Sequence, residues 1–185
     1  MLASEKQTLL KKLAEYEGNV PHMYLDRKGY VTVGVGHLLS TVAAAQKLPF
    51  MDGKTKKKAT AEEIKADFEA VSKLPKAKLA PFYTPHTKLV LTQSEIDALT
   101  ASHIDNFHRE LKRTYFTFDF HPKEVRLALF DMVFTLGRRG LITKFPEFNK
   151  AIQNKGWQKA AKESNRPDVN LSRNRYVKNL FEKAT

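Results

Sequence analysis

The strongest constraint on this 185-residue chain is a short β signal set into a helical pattern. Tyr24-Leu-Asp26 and Tyr30-Val-Thr-Val-Gly-Val35 flank Arg27-Lys28-Gly29. Two runs rich in β-branched and aromatic residues separated by a turn signal predict a β hairpin. Strand side chains alternate, which puts Val31, Val33 and Val35 on one face and Thr32, Gly34 and Gly36 on the other. The first face is expected to be core and the second nearly bare backbone. Upstream, Ser4 and Gln7 read as a capping box, and Leu9, Leu10, Leu13 and Tyr16 recur at helical spacing until Gly18. A helix over about 5–17 therefore feeds the hairpin.

Residues 40–91 hold Pro49, Pro75, Pro81 and Pro85, the run Lys54-Thr-Lys-Lys-Lys58, and one helix opened by the capping box Thr60-Ala-Glu-Glu63. A third box, Thr92-Gln-Ser-Glu95, starts a longer amphipathic helix with Ile96, Leu99, Ile104, Phe107 and Leu111 on one side. Pro122 opens a stretch from Val125 to Leu136 with almost no polar face before Gly137, the pattern of a central buried helix. Shorter amphipathic helices are expected at about 146–155, 157–164 and 172–183.

Thirty-two Lys and Arg against 20 Asp and Glu give a net charge of +12. Splitting the chain at Thr92 leaves 15 basic and 9 acidic residues in the first half and 17 and 11 in the second, so each half carries +6. That evenness speaks against a nucleic-acid-binding arm and for an extended polyanion as partner, such as nucleic acid, an anionic membrane or a bacterial wall, among which composition alone does not choose. The absence of cysteine excludes a disulfide, a thiolate nucleophile and any zinc site built on sulfur. The six histidines lack metal-ligand spacing, so no metal or cofactor is expected. Met1-Leu-Ala-Ser-Glu-Lys-Gln7 has no signal-peptide h-region, and export is expected to need outside help.

Three residues stand out for chemistry. Glu17 falls on the apolar stripe of the first helix at its last turn, a partly desolvated place suited to a general acid, although a frayed helix end would equally put it in water. Asp26 opens the hairpin turn, where aspartate also serves ordinary turn hydrogen bonding. Thr32 is a usual strand residue made notable by its place on the glycine face. A helix-end carboxylate, a hairpin carboxylate and a strand hydroxyl together describe an acid, a base and a group that positions water.

The pattern Glu17-Gly18, Tyr24-Leu-Asp26, Gly29-Tyr-Val-Thr32-Val-Gly-Val-Gly-His37-Leu-Leu39 resembles the catalytic signature of phage-type lysozymes, glycoside hydrolase family 24. Phe130-Asp-Met-Val-Phe134, Trp157 with Ala160-Ala161, and Arg173-Asn174-Arg175 ahead of Leu180-Phe181 resemble that family's large-lobe core and C-terminal helices. The resemblance implies an α+β, mainly helical, two-lobed fold. Residues of about 18–91 would form a small lobe with an enlarged insertion, 92–113 a long connecting helix, and 114–185 with the N-terminal helix a helical large lobe.

It also implies an N-acetylmuramidase that cuts the β-1,4 bond between N-acetylmuramic acid and N-acetylglucosamine and lyses bacteria. Glu17 would be the general acid, Asp26 would act with a water, and Thr32 would help hold that water. Gly36, Leu38 and Phe134 would lie along the substrate cleft. A lytic transglycosylase, or an inert basic module that binds wall or nucleic acid, are the rival readings. The long 40–91 segment resembles lysozyme domains of secreted antibacterial effectors. Such a toxin, expected to be a monomer, would act in the periplasm or on a target cell wall, after release through a phage-made lesion or by secretion. An immunity protein would plug its cleft. His37 lacks the family's aspartate partner, since His103 aligns there, and Asp105 is the substitute candidate.

Overall fold

The structure is a computed structural model that describes residues 3–184. The parts of the foregoing reading that fall on Met1, Leu2 and Thr185 lie outside the described residues. The chain divides into two compact units, one of Leu13–Ala101 and one of Met1–Lys12 with Ser102–Thr185. Helix α1 (Ala3–Glu17) and helix α4 (Gln93–Thr114) each contribute to both. The fold is the expected mainly helical α+β arrangement with a small hairpin-containing sheet. No helix among the described residues is long and apolar enough to cross a membrane.

The hairpin forms as its sequence predicts, from β1 (Val20–Leu25) and β2 (Val31–Gly34), and β3 (His37–Leu38) returns beside β2. The segment after it is more ordered than its prolines suggest. It contains α2 (Val42–Ala45), β4 (Met51–Asp52), α3 (Ala61–Ser72) and β5 (Leu89–Val90). Strand β5 pairs with β1 at His22 and Val90, giving an antiparallel sheet of order β3-β2-β1-β5-β4. Asp67 of α3 anchors this addition: its buried carboxylate accepts hydrogen bonds from the Thr87 hydroxyl and, at 2.9 Å, the Lys88 amide.

Two of the three capping boxes close. Thr60 and Glu63 exchange hydrogen bonds at the start of α3, and Thr92 and Glu95 do so before α4. Ser4 instead lies inside α1, where its carbonyl accepts the Thr8 hydroxyl, so that box does not form. The bare glycine face needs a larger correction. All of β2 is buried, and a Cβ on Gly34 would come 3.2 Å from Ile96 Cγ2. At Gly34 the face is covered because α4 sets an isoleucine against it, and with φ at +66° the position suits glycine on both steric and backbone grounds, while Gly36 stays open as expected.

In the second unit α5 (Lys123–Lys144) is the buried centre, as its apolar pattern predicts. At Gly137 the backbone is non-helical, with φ of 64° and ψ of 161°, so the span is two helical stretches joined by a kink. Helices α6 (Pro146–Gln153) and α8 (Leu171–Lys183) pack against it, and α7 (Trp157–Glu163) packs against those two. Phe148 and Phe181 meet edge to face at 5.5 Å. Asp131 takes Arg166 at 2.6 Å and Arg173 at 2.9 Å, with all three side chains almost fully buried.

Candidate active site

Glu17 is the last residue of α1 and is half-buried. Gly18, at φ +81°, donates its amide to Ala14 O at 3.1 Å and turns the chain out of the helix, so β1 begins only three residues after the carboxylate. Helix termination thus fixes where Glu17 stands relative to the sheet.

Asp26 follows β1 and closes the hairpin. Its backbone amide donates to Tyr30 O at 3.0 Å, and its Oδ1 accepts the amides of Lys28 at 2.8 Å and Tyr30 at 2.9 Å. This is the turn role that aspartate plays in many proteins, and it occupies one oxygen. Among the described residues Oδ2 carries no hydrogen bond, so the turn that orients the carboxylate leaves its second oxygen to accept from a ligand.

Tyr24 joins the two carboxylates. Its phenol is pushed up to about 12, first by burial, then by the negative charge of Glu17, then by that of Asp26. Both carboxylates therefore act on one hydroxyl. Tyr24 pairs with Thr32, and Thr32 pairs with Leu38, so the three form a row across one face of the sheet, the face that the period of two also assigns to Asp26. The Thr32 hydroxyl donates to Tyr30 O at 3.0 Å, and the side chain is 4% exposed. With its hydrogen committed, that oxygen can meet a water only as an acceptor.

No family model matches the chain. A curated relative, Probable T4-type lysozyme 1 of Dictyostelium discoideum, is 29% identical over 159 residues, which cover 83% of this chain and 80% of the relative. The chain is thus similar to a T4-type lysozyme over most of its length. The match agrees with the motif resemblance and with the mainly helical α+β fold.

The remaining expected site residues of this lysozyme-like chain are placed as follows. Gly36 is exposed in the turn between β2 and β3, with nothing within 4 Å of where a Cβ would stand. Leu38 is half-exposed at the end of the Tyr24–Thr32 row, on the same unit as the carboxylates. Phe134 belongs to the other unit, where its ring packs against Phe107 at 5.6 Å and lies 5.9 Å from the Arg173 guanidinium. His37 sits opposite Val33, one residue out of phase with the Thr32–Leu38 pair, and hence on the other face of the sheet. Asp105, the substitute partner suggested for it, receives the Lys6 ammonium at 2.8 Å. Sequence reasoning quoted Tyr24 only as part of a motif. The signal for its role was there, because a residue two before Asp26 on a strand shares its face. Tyr83, fully buried and 6.5 Å from the Tyr24 ring, comes from the proline-rich insertion and carried no such signal.

Among the described residues no group of three or more His, Cys, Asp or Glu could hold a metal ion.

Proposed function

We propose that this chain is a peptidoglycan hydrolase, an N-acetylmuramidase that needs no cofactor and cleaves the β-1,4 bond between N-acetylmuramic acid and N-acetylglucosamine, lysing bacteria. The observation that carries the reading is the Tyr24 phenol held under the charge of both Glu17 and Asp26 in a T4-type lysozyme-like chain. These residues with Gly36 and Leu38 of the same unit would hold the glycan, and Phe134 is proposed separately as a substrate-binding residue. Glu17 protonates the glycosidic oxygen as the leaving group departs. Asp26 Oδ2 takes a proton from a water on the opposite face of the sugar, and Thr32 Oγ1 accepts that water's other hydrogen. The water adds at the anomeric carbon, the bond to the leaving oxygen breaks, and configuration inverts. Tyr24, a neutral phenol at physiological pH, retains a proton to donate within the site.

The net charge of +12 suits an anionic wall. The same reading extends to a monomeric effector-type toxin that acts in the periplasm and is neutralised in its producer by an inhibitor seated over the carboxylates. Digestion of isolated murein by the wild type and by Glu17→Gln, with products read by mass spectrometry, tests the chemistry. Reducing-end muropeptides from the wild type alone are expected. Anhydro products would replace the hydrolase with a lytic transglycosylase, and turnover by a fully folded Glu17→Gln would remove Glu17 from the mechanism.

A further inference from the structure

The insertion carries a surface that hydrolysis does not use. From Val71 to Ser94 there is no aspartate or glutamate, while Lys73, Lys76, Lys78 and Lys88 lie within that span. Lys73, Lys76 and Lys78 are exposed around Leu79, which is 84% exposed, and Phe82, which is 38% exposed. One exposed leucine on a protein surface is unremarkable, but two apolar side chains inside a cluster of cations with no counter-charge in the segment are a composition with a direction.

The loop is also built to hold its shape. Tyr83 is fully buried and donates its hydroxyl to Pro75 O at 2.8 Å, tying the two ends of the loop together. The Phe82 amide donates to Leu79 O at 2.9 Å, and His22 Nε2 of β1 lies 3.0 Å from Ala80 O. Pro75 and Pro81 stiffen what remains. Leu79 is therefore presented, not loose, and little ordering entropy is left to lose on binding. The Lys78 ammonium sits 5.9 Å from the Phe82 ring. The loop lies against the hairpin turn, since a Cβ on Gly29 would meet Lys76 Cδ at 3.3 Å. The exposed Arg27 and Lys28 of that turn extend the positive field.

We propose that residues 73–82 form a docking loop for the surface of an anionic phospholipid bilayer. Leu79 and Phe82 enter the boundary between headgroups and acyl chains, while the lysines lay their stems along it and reach the phosphates. A phosphate-rich wall polymer would engage the lysines but has no use for Leu79, and the apolar tip is what decides between them.

The test is co-sedimentation of the full chain with phosphatidylcholine vesicles, with and without phosphatidylglycerol, and it does not depend on any catalytic reading. Wild type is expected to bind only the anionic vesicles. Leu79→Asp should weaken that binding about tenfold or more. Replacing Lys73, Lys76 and Lys78 with glutamine should weaken it about fivefold per lysine. Both variants should keep the wild-type unfolding midpoint and murein digestion. Equal binding to neutral and anionic vesicles would overturn the proposal. So would wild-type vesicle binding by Leu79→Asp, and if isolated anionic wall polymer then competed for the lysines, the surface would be assigned to that polymer.

Discussion

The proposed site stands on Tyr24, and Tyr24 can be titrated directly. Its phenol rises from the ordinary 10 to about 12, with burial the largest cause, Glu17 the second and Asp26 the third. Two pH units are thus shared among three causes in a known order. Because burial contributes most, Glu17 accounts for less than half, about one pH unit at most, and Asp26 for less than Glu17. Glu17→Gln is isosteric and removes only the charge, so Tyr24 should titrate below the wild-type value by less than about one pH unit and still above 10. Asp26→Asn should lower it less. Tyrosine labelled at Cζ, followed by NMR from neutral to strongly alkaline pH, resolves Tyr24 from the other five tyrosines once a Tyr24→Phe spectrum assigns it. The sign for stability follows. A folded value above the unfolded one means that Tyr24 costs nothing below pH 10, and that stability is lost as pH rises from 10 through about 12. Tyr24→Phe should flatten that alkaline decline. A Tyr24 titration unmoved by Glu17→Gln would mean that the carboxylate does not reach the phenol, and the pairing of Glu17 with Asp26 would fall with it.

Asp131 faces two buried guanidiniums in the second unit, so Asp131→Ala should cost about 3–5 kcal/mol by removing a buried counter-charge from both; a loss below about 1 kcal/mol in urea unfolding would refute that account. Gly34→Ala places a methyl 3.2 Å from Ile96 at a φ of +66°, and should lower stability by about 1–3 kcal/mol, where a neutral effect would show that the strand relaxes freely. His121 is held below its usual 6.5, chiefly by burial and then by the charges of Lys155 and Arg126. The unfolded chain takes up a proton there first, so this contribution is present above pH 6.5 and lost as pH falls through the lower folded value. His121→Gln should make the acid side of the stability profile shallower, and an unchanged profile would exclude the histidine as its source.

Local signals carried most of the fold. Thr60 and Thr92 announce their helices because a capping box is a four-residue device that needs no tertiary partner. The hairpin was legible for the same reason: the turn chemistry at Asp26–Gly29 and the alternation around it are contained in the segment itself. Ser4 misled because the same four-residue pattern sits inside α1, one residue after its first position. Gly34 misled for a tertiary reason, since nothing near it in sequence reveals that Ile96 will lie on it. For the candidate site, Glu17, Asp26 and Thr32 were singled out by type, spacing and the family resemblance, whereas the insertion's Tyr83 behind Tyr24 depends on a contact across 59 positions.

That contact bears on what the insertion is for. Strand β5 pairs with β1, the Leu91 amide donates to Pro21 O at 2.8 Å, and His22 and Tyr24 both meet groups from residues 80–83. Without these, β1 would be an edge strand with unpaired backbone groups at Pro21 and His22, on the strand that leads to Asp26. The insertion therefore braces the strand that delivers Asp26, and its outward loop is a separate property of the same segment. Deleting 73–91 should impair both stability and murein hydrolysis, because it removes the brace, whereas Leu79→Asp should spare both while weakening vesicle binding. If the deletion left hydrolysis and the unfolding midpoint at wild-type levels, the pairing of β5 with β1 would be dispensable, and the ordering of Asp26 would rest on the hairpin turn alone.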